Sequence, residues 1–599
     1  MPRGDPVNIM SRRDMEFLLF DWLDVDTLTK HERYAKHSHD IFVAVLDLAA
    51  QMAEKHFAPH NSVNDRCEPT FDGMTIKVIP EVAAALDTYA RSGLLGSSMD
   101  ERVGGGQLPH VVSRAAFTWL QAANSATAAY PLLTMGTANL LARYGSGEQI
   151  DRYVRPMLEG RFFGTMCLSE PDVGSSLADV TARAEPQTDG TYRLFGNKMW
   201  ISGGEHEMGE NIIHLVLARS TTSPKGVRGL SLFVVPRYLV AADGGRGERN
   251  DVVAAGINHK TGYRGTVNAL LAFGEGRRRP AGQPGAVGYL VGEIDHGLEY
   301  MFHMMNEARV AVGGSAVALG YTSYLHAVDY ARTRTQGRLP GSKNPLTKPV
   351  PIIAHADVRR MLLASKSYVE GGLALVLYAA KLLDDKLVAA TAAKSDRLEL
   401  LLDVLTPIVK AWPSRWCRQA NDFAIQVHGG YGYSREFPVE QFWRDNRLNS
   451  IHEGTDGIQA LDLLGRKVTM RDGAALKVLA AKIRESITRA PEALRYATEP
   501  LESLLMRVED VTAKLWAAQD PLRATASASL YADALGHLVV AWMWLEQMTT
   551  AHRRSGPVHI GKLLAGRYFF SYELPTVGPA LDLLERNDPI LIELDDTYL

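Results

Sequence analysis

The sequence contains few cysteines, carries little net charge and has no recognisable metal-binding cluster. Its 599 residues include three scattered cysteines, Cys67, Cys167 and Cys417. An odd, dispersed set of this kind forms neither a disulfide framework nor a metal site. The net charge of −3 argues against broad electrostatic binding to nucleic acid. We therefore expect no metal, no nucleic-acid partner, and a reducing, cytoplasmic location.

Uninterrupted apolar runs are also scarce. Acidic residues interrupt the apolar part of the N-terminal segment, so its sequence does not predict a signal peptide. The most apolar later stretch, residues 530–548, contains Asp533, His537 and Glu546. We predict that this stretch is a buried helix and that the chain has no integral membrane segment. No G-x-G-x-x-G follows a predicted strand, which argues against a Rossmann domain.

The spacing of apolar residues changes twice along the chain. Up to about residue 160 they recur every three or four residues, which predicts amphipathic helices. Between 162 and 275, short β-branched and aromatic runs alternate with turn residues, which predicts an antiparallel sheet or small barrel. Helical spacing returns from 293. The expected segments are an N-terminal extension (1–38), a helical domain (39–161), a β domain (162–290), a helical bundle (291–467) and an additional helical domain (468–599).

One carboxylate occupies an unusual place, beside a Gly-Thr turn at the start of an amphipathic run, in NSIHEGTDGIQ (449–459). His452 and Glu453 begin the H-E-x-x-H pattern of a zinc site, but Asp456 stands where the second His is needed. An isolated acid at this place is best explained by its interaction with the helix dipole. The turn alone therefore leaves the role of Glu453 open.

Five further motifs accompany this turn, and together they resemble the acyl-CoA dehydrogenase family over about residues 40–467. They are MCLSEPDVGSS (166–176), GNKMWISGG (196–204), NEARVAVG (306–313), YARTRTQGR (330–338) and QVHGGYGYSREFPVEQFWRD (426–445). The long N-terminal lead and the extra C-terminal segment resemble the larger bacterial subgroup. That subgroup includes long-chain acyl-CoA dehydrogenases and 3-methylthiopropanoyl-CoA dehydrogenases.

The resemblance implies an α+β fold with an N-terminal helical domain, a middle antiparallel β-barrel or sheet, a C-terminal four-helix bundle and an extra helical C-terminal domain. It implies FAD-dependent α,β-dehydrogenation of a fatty acyl-CoA, with a medium to long chain favoured, to the trans-2-enoyl-CoA. The electrons would pass to electron-transferring flavoprotein. The resemblance also implies a homodimer.

The resemblance assigns Glu453 as the base that takes the α-proton. The α C–H of a thioester is a weak acid, so the reaction needs both a base and donors aimed at the carbonyl oxygen. Gly454 would let the backbone approach the thioester, and Thr455 would contact the cofactor. Some relatives carry their base at the position that Ala308 occupies here, so Glu453 has no equivalent rival.

Other positions match substrate and cofactor contacts of the family. Those near the thioester and CoA are Ser175, Asn306 and Arg309, of which Ser175 is also counted with the cofactor. Those around the flavin ring are Met166, Leu168, Ser169, Trp200, Ile201 and Ser202. Those towards the diphosphate and adenosine are Arg334, Gln336, His355, Gln426, Gly429 and Gly430, the last three matching a cradle for the FAD of the neighbouring subunit. An arginine suits a diphosphate because its planar fork bonds two oxygens at once.

Two departures from the family pattern and three alternative functions remain, and the first alternative is a 3-methylthiopropanoyl-CoA dehydrogenase. No Phe follows Gln336, and Tyr263 and Arg264 stand where the family often has smaller residues. An acyl-CoA oxidase shares the domain order, but the residues of the SEPDVGSS and WISGG motifs favour a dehydrogenase. A DNA-binding flavoprotein of the same fold is disfavoured because the tail, LLERNDPILIELDDTYL (583–599), is acidic.

Overall fold

The computed structural model describes residues 9–341, 344 and 346–599, so the first eight residues of the expected N-terminal extension lie outside the described residues. Contacts divide the chain into two compact units. The first unit comprises residues up to Leu46, Pro109–Ala122 and Arg309–Leu599. The second unit comprises Asp47–Leu108 and Ala123–Ala308. The five segment boundaries predicted from the sequence stay predictions.

Helices account for most of the described residues. The α-helices are α1 Arg12–Glu16, α2 His39–Met52, α3 Asn61–Arg66, α4 Pro80–Arg91, α5 His110–Ala123, α6 Ser125–Tyr144, α7 Gly147–Gln149, α8 Arg155–Leu158, α9 Gly297–Thr333, α10 Ala356–Leu387, α11 Ala392–His428, α12 Val439–Arg447, α13 Asp456–Asp462, α14 Met470–Arg489, α15 Arg495–Trp516, α16 Pro521–Thr525, α17 Ala528–His552, α18 Pro557–Tyr568, α19 Val577–Arg586 and α20 Ile590–Glu593.

The strands all lie in the second unit. They are β1 Thr70–Phe71, β2 Ile76–Lys77, β3 Phe162–Cys167, β4 Arg183–Pro186, β5 Tyr192–Ser202, β6 Asn211–Ser220, β7 Leu230–Pro236, β8 Tyr238–Val240, β9 Arg246–Arg249, β10 Val252–Ile257, β11 Asn268–Phe273 and β12 Ala286–Leu290. The pair β1 and β2 falls in a region that the sequence pattern predicted as helical, because two-residue strands are too short to show a period.

One sheet forms the core of the second unit. Its strand order is β10-β11-β5-β12-β7-β6-β3, with β4 beside β5 and β6. Most neighbours run antiparallel, as predicted, but β3 and β4 both run parallel to β6. Strand β7 is buried at every residue. Its sequence therefore reads as a continuous apolar run, which is typical of a strand covered on both faces.

The long helices of the first unit approach one another at glycines. A Cβ added to Gly371 of α10 would lie 2.8 Å from Nε1 of Trp544 in α17. A Cβ added to Gly536 of α17 would lie 2.7 Å from Cδ1 of Trp412 in α11. Such separations leave no room for a larger side chain. The segment after Lys467 thus packs directly on the helical bundle through α17.

Helix α17 is, in the part of the chain that the structure describes, the one helix long and apolar enough to cross a membrane by length and composition. Of its most apolar window, 78% is buried inside the protein. Its two tryptophans, Trp542 and Trp544, are fully buried. The prediction of a buried helix over 530–548 is confirmed.

A cluster of buried charges joins distant parts of the first unit. Lys562 of α18 forms an ion pair with Asp14 of α1 and lies 2.9 Å from Oε2 of Glu370 in α10. Lys366 pairs with the same Glu370, and the hydroxyl of Tyr321 donates to Asp14 at 2.9 Å. Burial raises the pKa of Asp14, whereas the two lysines hold the pKa of Glu370 below its usual value. The two acids depend on these lysines for compensation of their charge.

We expect Lys562→Met to destabilise the protein by about 3–5 kcal/mol, because it leaves two carboxyl groups away from water with only Lys366 to compensate them. Chemical denaturation followed by circular dichroism measures the change. Lys514→Met is the matched control, since Lys514 makes its ion pair with Asp510 in solvent and such pairs contribute little. Equal losses for the two variants would contradict the importance of the cluster.

Candidate active site

The turn that carries Glu453 is held in an uncommon backbone conformation. Glu453 has φ of 55°, in the left-handed region that a side chain disfavours. Nε2 of the buried Gln459 donates to the carbonyl oxygens of Glu453 at 3.0 Å and Gly454 at 3.2 Å. Thr455 caps α13 by accepting from the backbone N–H of Ile458 at 3.3 Å. These bonds fix the direction in which the Glu453 side chain leaves the turn.

Two buried cations from neighbouring helices belong to the surroundings of this turn. Arg309 of α9 donates to Oδ2 of Asp462 at 2.8 Å, and its side chain is 4% exposed. Lys410 of α11 lies 3.2 Å from Oδ1 of Asp456 and its side chain is fully buried. Both acids belong to α13, the helix that follows Glu453. The ends of α13 are thereby attached to two different helices of the bundle.

Burial raises the pKa of Glu453 to about 7, against the opposing charges of Arg309 and Lys410. Burial also lowers the pKa of His452 to about 3, so this imidazole is neutral near pH 7. Near pH 7 the Glu453 carboxyl can therefore exist in both the protonated and the charged form. A carboxyl in that state can accept a proton and later release it.

His452 belongs to a chain of buried amides. Its Nε2 lies 3.1 Å from Oδ1 of Asn449, and Asn449 donates to Oδ1 of Asn446 at 3.0 Å. Asn446 donates in turn to Oδ1 of Asn421 in α11 at 2.6 Å. The residue beside the candidate base is thus part of a fixed hydrogen-bond network. This arrangement supports a structural role for His452.

A groove at the end of α11 brings together several predicted cofactor residues. Its volume is about 610 Å³, and its lining includes Arg334, Gln336, Gly429 and Gly430. Gly429 has φ of 61°, and no atom lies within 4 Å of a Cβ added to Gly429 or Gly430. The backbone of this turn is therefore open to a ligand, with a guanidinium in the same groove. The Arg334 side of this surface suits an extended anion such as a diphosphate, whereas Glu436 adds a carboxylate to the same lining.

Gln426 and His355 were also predicted to contact this part of FAD, but they are not among the residues that line the groove. Gln426 is exposed, and its carbonyl accepts from the N–H of Gly429. Nε2 of His355 lies 2.8 Å from the carbonyl oxygen of Gln336. His428 is buried, stacks on Tyr330 with ring centroids 4.3 Å apart, and bonds the Ala424 carbonyl through Nδ1. These contacts give His428 a packing role.

The SEPDVGSS segment of the second unit is fixed by a buried ion pair. Nζ of Lys198 lies 3.0 Å from Oε1 of Glu170 and donates to the Leu168 carbonyl at 2.9 Å. Glu170 also accepts from the backbone of Thr181 and Ala182. The carbonyl of Ser169, between Leu168 and Glu170, accepts from the N–H of Met199 at 2.9 Å. The Ser169 turn and strand β5 are therefore joined next to Trp200.

Trp200 stands out within β5. It has φ of 65° and is 57% exposed, whereas its neighbour Ile201 is buried. A large aromatic ring exposed from a left-handed backbone position is costly unless it has a ligand or partner. Ser202, two residues on, has its Oγ 3.3 Å from Nδ2 of Asn268. Together with Ser169, these residues present an aromatic ring and hydroxyl groups where strand meets turn.

The remaining predicted positions show weaker signals. Met166 is half-buried in β3, and Ser175 is exposed on the loop before β4. Asn306 is half-buried, and the adjacent Glu307 accepts from Nδ2 of Asn139 at 2.8 Å. This bond gives Glu307 a structural explanation within the second unit.

The departure from the family pattern at Tyr263 and Arg264 has a packing explanation. Tyr263 is 6% exposed with φ of 50°. Nε of Arg264 lies 3.8 Å from Glu68 and 3.9 Å from Asp65. These larger side chains are accommodated inside the second unit by burial and by ion pairs.

Sequence reasoning missed Lys410, Asp462 and Gln459 as parts of the site. The signal for Lys410 was present, since it is a lone lysine in the apolar helical run TPIVKAW (406–412). A lysine at such a position is buried only when it is paired. Asp462 and Gln459 gave no signal because polar residues in an amphipathic helix are expected on its solvent face.

Comparison with known proteins places this geometry in a family. Profiles described as acyl-CoA dehydrogenase N-terminal, middle and C-terminal domains match residues 43–161, 165–273 and 295–468. A profile described as acetyl-CoA dehydrogenase C-terminal like matches residues 479–595. The chain belongs to the acyl-CoA dehydrogenase family. It is an oxidoreductase and a flavoprotein of that family, and its cofactor is FAD.

Relatives match over nearly the whole chain. A 3-methylmercaptopropionyl-CoA dehydrogenase of Ruegeria pomeroyi is 36% identical over 88% of this chain and 89% of its own. A broad-specificity linear acyl-CoA dehydrogenase, FadE5, of Mycobacterium tuberculosis is 32% identical over 98% of both chains. An acyl-CoA dehydrogenase of Bacillus anthracis, solved with FAD, has a TM-score of 0.74 at 18% identity, covering 94% of this chain and 90% of its own. This last likeness supports the fold alone.

The residues of this chain fit FAD. The glycine turn at Gly429 and Gly430 leaves the space that a phosphate group needs, and Arg334 supplies a cation in the same groove. Trp200 and the hydroxyls of Ser169 and Ser202 suit a flat, polar-edged ring. In the part of the chain that the structure describes, no cluster of metal ligands was found.

We expect Arg334→Gln to weaken FAD binding by about tenfold or more, because a charge-assisted bond to phosphate is replaced by a neutral one. Titration of the apoprotein with FAD, followed by flavin fluorescence, measures the change. Arg332→Gln is the control, since Arg332 is exposed in the last turn of α9, two residues before Arg334, and is not among the residues lining the groove. Equal affinities in the two variants would remove Arg334 from the FAD site.

Proposed function

We propose that this protein catalyses the α,β-dehydrogenation of an acyl-CoA thioester, with Glu453 as the base. The observation that carries the proposal is the state of the Glu453 carboxyl, which is partly buried and has a pKa near 7. A base works best when its pKa lies near the working pH, because it is then both available and strong enough. An ordinary exposed glutamate has a much lower pKa and is a weaker base.

The carboxylate of Glu453 takes the α-proton and holds it as the substrate is oxidised. The strained turn positions this carboxylate, since Gln459 bonds both carbonyls that follow it. Gly454, with φ of 86°, leaves the backbone free of a side chain where the thioester would approach. Backbone N–H groups of the turn are the donors we assign to the thioester oxygen.

Arg309 stabilises the negative charge that develops as the proton leaves. Two observations support this role. Its guanidinium is held by Asp462, which also pairs with Arg466 at 2.7 Å. Its Nε is buried and has no hydrogen-bond partner among the described residues. A buried donor left unbonded is costly, so a ligand atom at this place would be favoured. Asn306 and Ser175 are proposed as further substrate contacts towards CoA.

When bound, FAD would supply the acceptor for the β-hydride. The chain's own part is to hold and orient it. Ser169, Trp200 and Ser202, with the backbone of Met166, Leu168 and Ile201, are proposed to hold the ring. Thr455 is proposed as a further contact. Arg334, Gln336, His355, Gln426, Gly429 and Gly430 are proposed to hold the diphosphate and adenosine.

Helix α11 supports a homodimer in which this groove receives FAD from the neighbouring subunit. The loop that carries Glu453 meets α11 at Ser414, whereas the groove lies at His428, fourteen residues further on. At 1.5 Å per residue the separation is about 21 Å. The five-carbon ribityl chain between flavin ring and diphosphate is far shorter. This separation supports the proposal that the ring beside Glu453 and the diphosphate in the groove belong to different FAD molecules.

The acyl group and the electron acceptor are the finer parts of the proposal. An unbranched acyl chain of medium to long length is the first candidate, in line with the linear specificity in the name of the FadE5 relative. 3-Methylthiopropanoyl-CoA is the second candidate, because a relative with 36% identity bears the equivalent name. Electron-transferring flavoprotein is the proposed acceptor.

We expect Glu453→Gln to keep FAD and acyl-CoA binding but to lower the rate of flavin reduction by about 10²–10⁴-fold or more. In the wild type the rate should fall as the pH drops through about 7, because the carboxyl is then protonated and cannot accept the α-proton. Anaerobic stopped-flow absorbance over a pH series measures both effects.

Glu307→Gln is the matched control, since Glu307 lies two residues from Arg309 and bonds Asn139 instead. It should leave the pH profile unchanged. A wild-type rate in Glu453→Gln, or complete loss in Glu307→Gln with FAD still bound, would place the base on the wrong residue.

Substrate and acceptor are tested together. We expect reduction of the flavin by acyl-CoA substrates drawn from a series that runs from butyryl-CoA to palmitoyl-CoA and includes 3-methylthiopropanoyl-CoA. Turnover should be rapid with electron-transferring flavoprotein and slow with dioxygen alone. Hydrogen peroxide formed at the full turnover rate without added acceptor would instead identify an oxidase. The substrate with the highest kcat/KM decides between the two candidate acyl groups.

A further inference from the structure

The loop that carries Glu453 is attached at both ends to one face of α11. At its start, Oγ of Ser450 donates to the Ser414 carbonyl at 3.4 Å. At its end, Nζ of Lys410 lies 3.2 Å from Oδ1 of Asp456. Lys410 and Ser414 are four residues apart and therefore adjacent on the helix surface. A hydrogen bond also joins them, because Oγ of Ser414 donates to the Lys410 carbonyl at 2.6 Å.

The ion pair at the end of this loop is unequal. The Lys410 side chain is 0% exposed, whereas that of Asp456 is 37% exposed. Water therefore screens the aspartate charge more than the lysine charge. The charge of Lys410 is therefore only partly balanced inside the protein. It can act on Glu453, which precedes Asp456 by three residues. Arg309 differs in this respect, because its partner Asp462 is also buried and pairs with a second arginine.

The ionisable groups around the Glu453 loop come from α9, α11, α13 and α17 and from the loop itself. Arg309 lies on α9 and Lys410 on α11, and each lowers the pKa of Glu453. His452, on the loop itself, is neutral because burial lowers its pKa to about 3. Beyond Asp456, Asp533 of α17 pairs with Arg415 of α11. Among these groups, Lys410 is the buried cation that is paired with a much more exposed acid, Asp456.

We propose that Lys410 is a positioning residue for the dehydrogenation, which sets the proton affinity of Glu453 by its buried charge and holds the loop through Asp456. The proposal rests on Glu453 acting as the base. Without Lys410, burial would raise the pKa of the Glu453 carboxyl further, because Arg309 would be the one cation left to oppose it. The carboxyl would then stay protonated to higher pH and would be a poorer base at neutral pH.

Direct titration of Glu453 tests this without any substrate. Infrared difference spectra of the FAD-loaded enzyme over a pH series follow the carbonyl band of the protonated carboxyl. The band is assigned by its loss in Glu453→Gln. We expect a midpoint near 7 in the wild type and a midpoint about one pH unit higher in Lys410→Met, since loss of a nearby opposite charge raises a carboxyl pKa. Lys410→Arg should restore the wild-type midpoint.

Lys467→Met is the matched control. Lys467 is also nearly buried and makes a 2.6 Å ion pair with the more exposed Asp403, but it does not act on Glu453. It should leave the midpoint unchanged. A merely structural Lys410 would alter the melting temperature without moving the midpoint. An unmoved or undetectable midpoint in Lys410→Met overturns the proposal.

Two further outcomes keep the inference separate from the proposed function. If Lys410→Met does not fold, the double variant Lys410→Met with Asp456→Asn removes both charges. It should still raise the midpoint, because the removed aspartate was the more screened partner. If Glu453→Gln retains full dehydrogenation, the base assignment fails whatever Lys410→Met shows. If Glu453→Gln is inactive and the midpoint does not move, only the role of Lys410 fails.

Discussion

Charge held away from water is the constraint on which the first unit depends. A buried charge is tolerated only beside an opposite one, and Arg309, Lys410 and Lys562 each have such a partner. Glu453 differs, because among the described residues no ion pair reaches its carboxylate. Cations are near enough to act on it but are engaged by other acids. A base needs this arrangement, since a carboxylate locked in an ion pair would be too weak to take a proton from carbon.

Each unit, taken by itself, has backbone strain at one predicted site residue. Glu453 and Trp200 both have positive φ, at 55° and 65°. Such conformations cost of order 1–3 kcal/mol each and persist only where neighbouring bonds enforce them. Gln459 does so for Glu453, and the bond between Met199 and Ser169 fixes the strand before Trp200. The fold thus directs two side chains to positions that an unstrained strand or turn would not reach.

The sequence predicted the fold class and the order of elements well, because helical and strand periods are local properties. Long amphipathic runs such as α15, and turn residues between β4 and β5, contain their own structural signal. Parallel pairing of β3 with β6 was missed, since pairing across 49 residues leaves no local trace. At the site, motif resemblance selected Glu453, Arg309 and the Gly429 turn.

What the sequence did not reveal was the partner of each charge. Arg309 was expected near the thioester, yet no pattern linked it to Asp462, 153 residues away. Lys410 and Asp456 are 46 residues apart and lie on helices whose approach depends on the packing of the whole bundle. The proton affinity of the base follows from these distant pairings. The residues of the site can therefore be identified partly from local sequence motifs. The charges that surround them depend on the complete fold.

The buried cluster around Lys562 also has a consequence for biosynthesis. Asp14 is translated before Glu370, and Lys562 is translated only after both acids. Domains generally fold as units during synthesis, from the N-terminus onwards. Here the two acids cannot be enclosed at low cost until the last helices arrive. We therefore expect this part of the bundle to close only after α18 has been translated, since a chain stopped short of α18 lacks the lysine that pairs with both acids.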